Sequence, residues 1–193
     1  DGECIRVEDG EFRLGGERWF AHGINYWPLY VSGMEPQGYF SHWLSPMYYI
    51  PELIDQDLAL LEELGVNLVS IQYTRTEEVP QLHDFLERCG RHGIKANIWL
   101  LGSHPTEPSG DDDLSKRGYL DLLRAADLAG NPHVFAYDLA WEPILGREDA
   151  RKKHDPLFEQ WIREQYGSVA RAEEVWGFPA NRRDDGRVTA PSD

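Results

Sequence analysis

A glutamate directly after an apolar run is the residue best suited to acid–base chemistry. Glu142 lies between Trp141 and Pro143, at the end of the run at residues 134–141. A carboxyl with apolar neighbours is poorly solvated, which favours its protonated form. Such a carboxyl suits a general acid that protonates a departing glycosidic oxygen while a second carboxylate acts on the sugar. Glu142 is therefore the candidate general acid/base, and the structural alternative is a glutamate that caps the next helix or pairs with Arg147.

Polar and aromatic residues also end the other apolar runs, at residues 20–25, 67–73 and 94–101. A sugar ring presents apolar C–H faces to aromatic rings and hydroxyl groups to amide and phenol groups. The two tryptophans at 99 and 141 also suit packing inside a barrel. The predicted substrate-binding residues are Asn25, Tyr26, Trp27, Tyr73, Trp99, His104 and Trp141.

The segment at residues 26–49 is unusually rich in aromatic residues. It holds eight of them: Tyr26, Trp27, Tyr30, Tyr39, Phe40, Trp43, Tyr48 and Tyr49. Binding loops often carry such side chains, so this segment is interpreted as a carbohydrate platform. The alternative is a loop whose rings pack over the core.

These residues must be positioned by alternating strands and helices. Leucines at helical spacing from Leu53 to Leu64 end at Gly65, and the strand-like run 67–73 follows. The same helix–glycine–strand pattern leads to the runs at 94–101 and 134–141. Such alternation predicts adjacent parallel strands at residues 20–26, 67–73, 94–101 and 134–141.

Two architectures fit this alternation, an open doubly wound sheet and a closed barrel. An open nucleotide-binding sheet would carry a glycine-rich turn after its first strand, whereas Asn25 is followed by an aromatic segment. The sequence therefore favours an α/β fold of the (β/α)₈ TIM-barrel type. In a barrel, catalytic groups lie where the strands end.

This chain would supply the first four βα units of such a barrel plus an N-terminal β-hairpin. The turn dipeptides Asp9-Gly10 and Gly15-Gly16 predict a β-meander at residues 1–19 that would close the barrel floor. Residues 20–145 then form the four units, and residues 146–193 a helical insertion and tail of the same domain. A complete barrel needs about 250 residues, so the other half is expected from another segment or chain.

Composition limits the partners. The chain has 193 residues with a formal net charge of −15, and we expect neither nucleic acid nor a membrane as partner. No sequence stretch has the roughly 18 uninterrupted apolar residues of a membrane helix. The sequence begins at Asp1 rather than Met, which is compatible with the removal of a leader. A secreted or periplasmic protein is suspected, and the localisation stays open.

The cysteines and histidines do not form a metal-binding pattern. Cys4 and Cys89 lack the spacing of a zinc site, so two free thiols are favoured, with a Cys4–Cys89 bridge as the alternative. His22 lies within a strand and is interpreted as structural. The acidic run 111–113 favours the start of a helix. We therefore expect no metal and no cofactor.

Together these motifs resemble the clan of retaining β-glycosidases with barrel folds, particularly glycoside hydrolase families 5 and 42. The likeness covers most of residues 12–178. Two segments of this chain resemble the start of these enzymes: Phe-Arg-Leu-Gly-Gly-Glu-Arg-Trp-Phe at 12–20 and His-Gly-Ile-Asn-Tyr-Trp at 22–27. Later segments that also resemble them are residues 61–69, 93–97, 137–143, 161–167 and 174–177. The resemblance implies a retaining glycoside hydrolase with Glu142 as acid/base and a nucleophile on a later strand. The alternative is a catalytically inactive carbohydrate-binding or scaffold protein on the same fold.

Two positions depart from the pattern of these families. They usually carry asparagine immediately before the acid/base, whereas this chain has Trp141. Family 5 also tends to end its second strand with arginine, and residues 70–73 read Ser-Ile-Gln-Tyr. The sugar and the exact family therefore stay open at this point.

Overall fold

The computed structural model describes residues 4–33, 43–100, 112–139 and 152–190 of the chain. The chain divides into two compact units, Asp1–Pro143 and Ile144–Asp193. Each unit is described by itself.

The first unit begins with the predicted three-stranded meander. Strands β1 (Arg6–Glu8), β2 (Glu11–Leu14) and β3 (Glu17–Arg18) pair antiparallel in the order β1-β2-β3. Asp9 and Gly10 both have positive φ, at 52° and 78°. A two-residue loop with this backbone is the hairpin turn that matches strand twist, which explains the Asp-Gly pair.

A four-stranded parallel sheet follows, as predicted. Its strands are β4 (Gly23–Asn25), β5 (Leu68–Tyr73), β6 (Lys95–Leu100) and β7 (Val134–Asp138). They are hydrogen-bonded in the order β4-β5-β6-β7, and all three pairings are parallel. The strands are adjacent and parallel as expected, although each is shorter than the apolar run that predicted it.

Three helices connect these strands: α1 (Pro51–Glu63), α2 (Val79–Arg91) and α3 (Asp112–Ala126). Helix α2 shows why they form. Leu82, Phe85, Leu86 and Cys89 recur on one face and are fully buried, and Pro80 lies in its first turn, where a missing N–H costs nothing.

Side-chain alternation gives the sheet two different faces. Val69, Ile71 and Tyr73 of β5 are fully buried in the hydrophobic core. Ala96, Ile98 and Leu100 of β6 share that core, together with residues of α1, α2 and α3. The residues between them point to the opposite face. We call that second surface, which points away from α1, α2 and α3, the helix-free face.

The meander contacts the end of the sheet where its strands begin. The ring of Phe135, the second residue of β7, lies 5.1 Å from that of Phe12 and 5.4 Å from that of Trp19, measured between centroids. These distances suit aromatic packing. Closure of a barrel floor by this meander stays a prediction.

A partly buried ion-pair network links α1 and α2. Arg88 of α2 donates from Nε to Asp84 Oδ2 at 2.7 Å and also pairs with Asp55 of α1. The Tyr49 hydroxyl donates to Asp84 Oδ2 at 2.7 Å. Arg88 and Tyr49 together hold the pKa of Asp84 below its ordinary value, with Arg88 the larger cause. The segment before α1 is thereby fixed to both helices.

The second unit contains helices α4 (Asp155–Tyr166) and α5 (Val169–Trp176). They pack around Ile162, Ala172, Ala180 and Val188. Asp155, buried at the start of α4, accepts hydrogen bonds from Arg183 Nε at 2.7 Å and from Ala190 N at 3.1 Å. The helical character predicted for residues 146–193 is confirmed by α4 and α5. That this region is an insertion within one barrel domain stays a prediction.

Both cysteines are free in the structure. Cys89 is fully buried on α2, and desolvation raises the pKa of its thiol. The Cys4 sulfur lies 3.9 Å from the Gly130 carbonyl oxygen. The bridge considered as an alternative is therefore absent, and the two free thiols are confirmed.

The close approach of α2 to the segment before β7 gives a testable stability difference. A β-carbon at Gly90 would overlap the imidazole ring of His133, whereas one at Gly118 of α3 would have nothing within 4 Å. We expect Gly90→Ala to lower the free energy of unfolding by about 1–3 kcal/mol through overpacking. Gly118→Ala should raise it by about 0.5–1 kcal/mol, since alanine favours a helix interior. Urea denaturation measures both, and a Gly90→Ala protein as stable as Gly118→Ala would contradict this packing.

Candidate functional site at the carboxyl edge of the sheet

The four parallel strands end at one edge of the sheet, which we call the carboxyl edge. On the helix-free face, backbone register aligns side chains across the strands. One row consists of Asn25, Ser70, Asn97 and Ala136; the row nearest the carboxyl edge consists of Gln72, Trp99 and Asp138. In α/β folds, ligands bind at the carboxyl ends of parallel strands. These two rows are therefore the candidate site.

The first row is lined with small polar groups. Asn97 Nδ2 donates to Ser70 Oγ at 3.0 Å. A groove on this face is lined by Gly23, Ile24, Asn25, Leu68, Ser70, Asn97 and Phe135. A β-carbon at Gly23 would lie 3.0 Å from Leu68 Cβ, so glycine keeps the groove open at its base. The surface therefore offers neutral amide and hydroxyl groups, which suit a hydroxylated ligand.

The second row brings tryptophan and carboxylate chemistry together. Gln72 is only 4% exposed, and its Oε1 accepts a hydrogen bond from Trp27 Nε1 at 2.8 Å. Trp99 and Asp138 are half-buried beside it, in register. Asn25, Trp27 and Trp99, three of the predicted substrate-binding residues, thus share this side of the sheet.

Tyr26 and Tyr73 point the other way, into the helix layer. The Tyr26 ring stacks on Phe85 at 5.7 Å and its hydroxyl donates to Asp57 Oδ2 at 3.0 Å. The Tyr73 hydroxyl donates to the Leu122 carbonyl oxygen at 3.2 Å. Both predictions of substrate contact are revised, because each side chain is buried and its hydroxyl is bonded inside the core.

Burial affects the ionisation of both phenols. Desolvation is the main cause that raises the pKa of Tyr73 to about 12, and the nearby charges of Glu78 and Glu77 add to it. Desolvation and the contact with Asp57 raise the pKa of Tyr26 as well. Both phenols are therefore neutral near neutral pH and serve as structural donors.

The aromatic segment before α1 packs over the core where the structure describes it. Trp43 is 1% exposed, its ring centroid 5.0 Å from that of Phe85. The Tyr30 hydroxyl accepts a hydrogen bond from the Ile50 backbone N–H at 3.2 Å. Tyr39 and Phe40 lie outside the described residues. Trp43 and Tyr30 therefore favour the packing alternative, whereas Trp27 of the same segment lies at the carboxyl edge.

A buried glutamate that the sequence analysis missed organises the loop after β5. Glu78 is 1% exposed, and its Oε2 accepts from the backbone N–H groups of Thr74 at 3.0 Å and Arg75 at 3.1 Å. Desolvation raises the pKa of Glu78, and these hydrogen bonds partly offset the shift. Glu78 ends a short 3-10 helix (Thr76–Glu78) and lies three residues after its N-cap residue, Arg75, which is the spacing of a capping box.

Three predicted site residues lie outside the described part of the chain: Glu142, Trp141 and His104. Strand β7 ends at Asp138, four residues before Glu142. Within residues 4–33, 43–100, 112–139 and 152–190, no group of three metal-ligating side chains occurs. Each helix in that described part is too short or too polar to span a bilayer.

Comparisons with known proteins find glycosidases. The chain is 24% identical over 189 residues to the β-galactosidase BbgII of Bifidobacterium bifidum, covering 78% of this chain and 27% of that protein. A solved structure, the exo-β-1,4-mannosidase Op5Man5 from Opitutaceae bacterium strain TAV5, is similar at a TM-score of 0.54 and 18% identity, covering 89% of this chain and 33% of the mannosidase. No protein-family model matches the chain.

These comparisons confirm the resemblance to glycoside hydrolases that the motifs indicate. The mannosidase structure shows similarity of fold alone, and the described sheet shares the parallel arrangement of TIM-barrel glycoside hydrolases. The chain spans 27% of the length of the curated relative and 33% of that of the solved mannosidase.

The raised pKa of Glu78 gives a pH-dependent prediction. As pH rises above the ordinary glutamate value, the unfolded chain releases its proton before the folded protein does, which favours unfolding. The stability advantage of wild type over Glu78→Gln should therefore shrink between about pH 4 and pH 7. Urea denaturation at both pH values measures it. The matched control is Glu77→Gln, at an exposed neighbour; an advantage that grows with pH for Glu78 alone would contradict the burial effect.

Proposed function

We propose that this chain forms the first half of the catalytic barrel of a retaining glycoside hydrolase that cleaves a β-linked glycoside. The observation that carries the proposal is the helix-free face, where polar and indole side chains line the carboxyl edge in register. Strand β7 ends at that edge, four residues before Glu142. The similarity to a β-galactosidase and an exo-β-1,4-mannosidase supports the same class of reaction.

In this proposal Glu142 is the general acid/base. It donates a proton to the departing glycosidic oxygen while a second carboxylate attacks the anomeric carbon and forms a glycosyl-enzyme. Glu142 then takes a proton from the water that hydrolyses this intermediate. The nucleophile belongs to a part of the protein outside residues 1–193, and the two carboxyl groups should stand about 5–5.5 Å apart.

The described residues of the carboxyl edge would bind the sugar. Asn25 offers an amide to sugar hydroxyl groups, and the indoles of Trp27 and Trp99 offer apolar ring faces to the C–H face of a pyranose. His104 and Trp141 keep their proposed substrate contacts. The two relatives, by name, act on different hexoses, so a panel of aryl β-galactosides and β-mannosides is the first substrate test.

A second part of the barrel is proposed as the structural partner. Strands β4 and β7 each pair with one neighbour only among the described strands. Ile24 of β4 is 41% exposed. Unpaired edges of a parallel sheet normally require cover. We propose that four further strands, from another segment or another chain, close the barrel around the carboxyl edge.

Trp141 keeps one alternative under consideration. Where the glycosidase families usually carry asparagine before the acid/base, this chain has an indole, which suits a carbohydrate-binding protein or scaffold without catalysis. Binding of a β-glycoside by the complete polypeptide without hydrolysis would favour that alternative.

Substitution of Glu142 tests the catalytic role. In the complete polypeptide, Glu142→Gln should reduce hydrolysis of unactivated glycosides by roughly 10²–10⁴-fold, because glutamine cannot donate the proton. Formation of the glycosyl-enzyme from an activated aryl glycoside should be spared, since its leaving group needs no proton. Added azide should then restore turnover and give a β-glycosyl azide, identified by NMR.

Glu77→Gln is the matched control, since it makes the same change at an exposed glutamate and should leave turnover unaltered. Unchanged hydrolysis of an unactivated glycoside by Glu142→Gln would refute the assignment. An α-glycosyl azide would refute it equally.

The proposed barrel closure predicts how apolar surface behaves. Residues 1–193 produced alone should bind a fluorescent apolar probe such as anilinonaphthalene sulfonate, because apolar side chains in or beside the outer strands, such as Phe20, Ile24 and Leu139, are exposed. The complete polypeptide, or the complex with a companion chain, should bind much less. Equal, weak probe binding by both proteins would contradict the need for a covering half.

A further inference from the structure

Gln72 is a buried polar residue whose partner is a side chain rather than the backbone. Among the described residues, the buried polar or charged side chains are Gln72, Glu78 and Asp155. The Glu78 carboxylate accepts hydrogen bonds from backbone N–H groups close to it in sequence. The Asp155 carboxylate accepts one from a backbone N–H and one from an arginine side chain. Gln72 instead accepts from the indole of Trp27, which lies 45 residues earlier in the chain.

The position does not need an amide for packing. Gln72 is 4% exposed, on the face of the sheet opposite to that of its core neighbours Ile71 and Tyr73. A buried amide requires a hydrogen-bond partner, and leucine would fill a similar volume without that requirement. The indole N–H is a donor only, so the amide must turn its oxygen to Trp27. The 2.8 Å distance is that of a well-formed hydrogen bond.

This hydrogen bond fixes the orientation of the Trp27 indole. Trp27 follows β4 by two residues, and it packs against the hydrophobic core while remaining partly exposed. Its partner Gln72 is in register with Trp99, which is in register with Asp138. The bond therefore selects, from the rotamers open to Trp27, one that keeps the ring beside the row nearest the carboxyl edge.

We propose that Gln72 is a positioning residue that holds the Trp27 indole at the carboxyl edge, so that the ring stacks on a pyranose of the bound glycoside. The inference rests on the proposed function. Gln72 need not touch the sugar, because it acts through Trp27. An aromatic platform that binds substrate and transition state alike changes KM rather than kcat.

The test uses three variants of the complete polypeptide. Gln72→Leu removes the acceptor, Trp27→Phe keeps a ring but removes the N–H, and the third variant combines both changes. With the aryl β-glycoside that wild type hydrolyses best, each single change should raise KM about tenfold with kcat within about twofold. The double variant should be no worse than Trp27→Phe alone, since the two residues act as one unit.

Tyr137→Phe is the matched control. It also removes one hydrogen bond from a strand side chain, that of the Tyr137 hydroxyl to the Leu128 carbonyl oxygen at 3.0 Å, but on the helix side of β7. Its KM should equal that of wild type. Trp27→Phe changes only a partly exposed side chain, so it tests the same bond should Gln72→Leu fold poorly.

Three outcomes would overturn the inference: an unchanged KM for Trp27→Phe, effects of the two changes that simply add, or an equal rise in KM for Tyr137→Phe.

Calorimetric binding of a β-linked oligosaccharide separates this inference from the proposed function. A wild type that binds but does not hydrolyse would refute the proposed function. Even then, about tenfold weaker binding of the oligosaccharide by Gln72→Leu would support the positioning role. Binding equal to that of the wild-type protein would refute it.

Discussion

The in-register parallel pairing of β4 to β7 is the constraint on which the rest of the first unit depends. Side chains along a strand alternate between faces, so pairing in register aligns equivalent positions across the sheet. The side chains at positions 69, 71 and 73 pack against the helices, whereas those at positions 70 and 72 lie on the helix-free face. Neighbours in sequence therefore take opposite roles: Tyr73 fills the core while Gln72 serves the carboxyl edge.

Hydrogen bonds from buried side chains then fix the loops beyond the strands. Gln72 holds Trp27 after β4, and Glu78 holds the backbone of Thr74 and Arg75 after β5. Each bond uses a polar group that would be costly to bury alone. Loops anchored in this way keep a precise geometry, which a site requires when small displacements of a binding group weaken catalysis. The same bonds that stabilise the fold thus prepare the candidate site.

Much of this fold could be predicted from the sequence because its signals are local. Asp9-Gly10 marks a hairpin turn, and the helical spacing of apolar residues up to Gly65 marks α1 and the strand after it. The parallel order follows from the alternation of strands and helices. The exact residues at which the strands end could not be predicted from the sequence, because they depend on hydrogen bonding between distant segments.

The site was predictable only in part, for a physical reason. An aromatic residue at a strand end suits both the core and a sugar, so residue type alone did not separate Tyr26 and Tyr73 from Trp27. Alternation does separate them once Asn25 and Ser70 are known to share a face. The bond between Gln72 and Trp27 joins residues far apart in sequence, and no spacing rule reveals it.

The stereochemistry of hydrolysis tests the central claim most directly. Proton NMR of the complete polypeptide acting on an aryl β-glycoside follows the anomeric signals of the released sugar from the first minutes. A double displacement through a glycosyl-enzyme predicts that the β-anomer appears first and the α-anomer arises later by mutarotation. Initial release of the α-anomer would contradict the account, because it requires a single displacement by water and carboxylates about 6.5–9.5 Å apart.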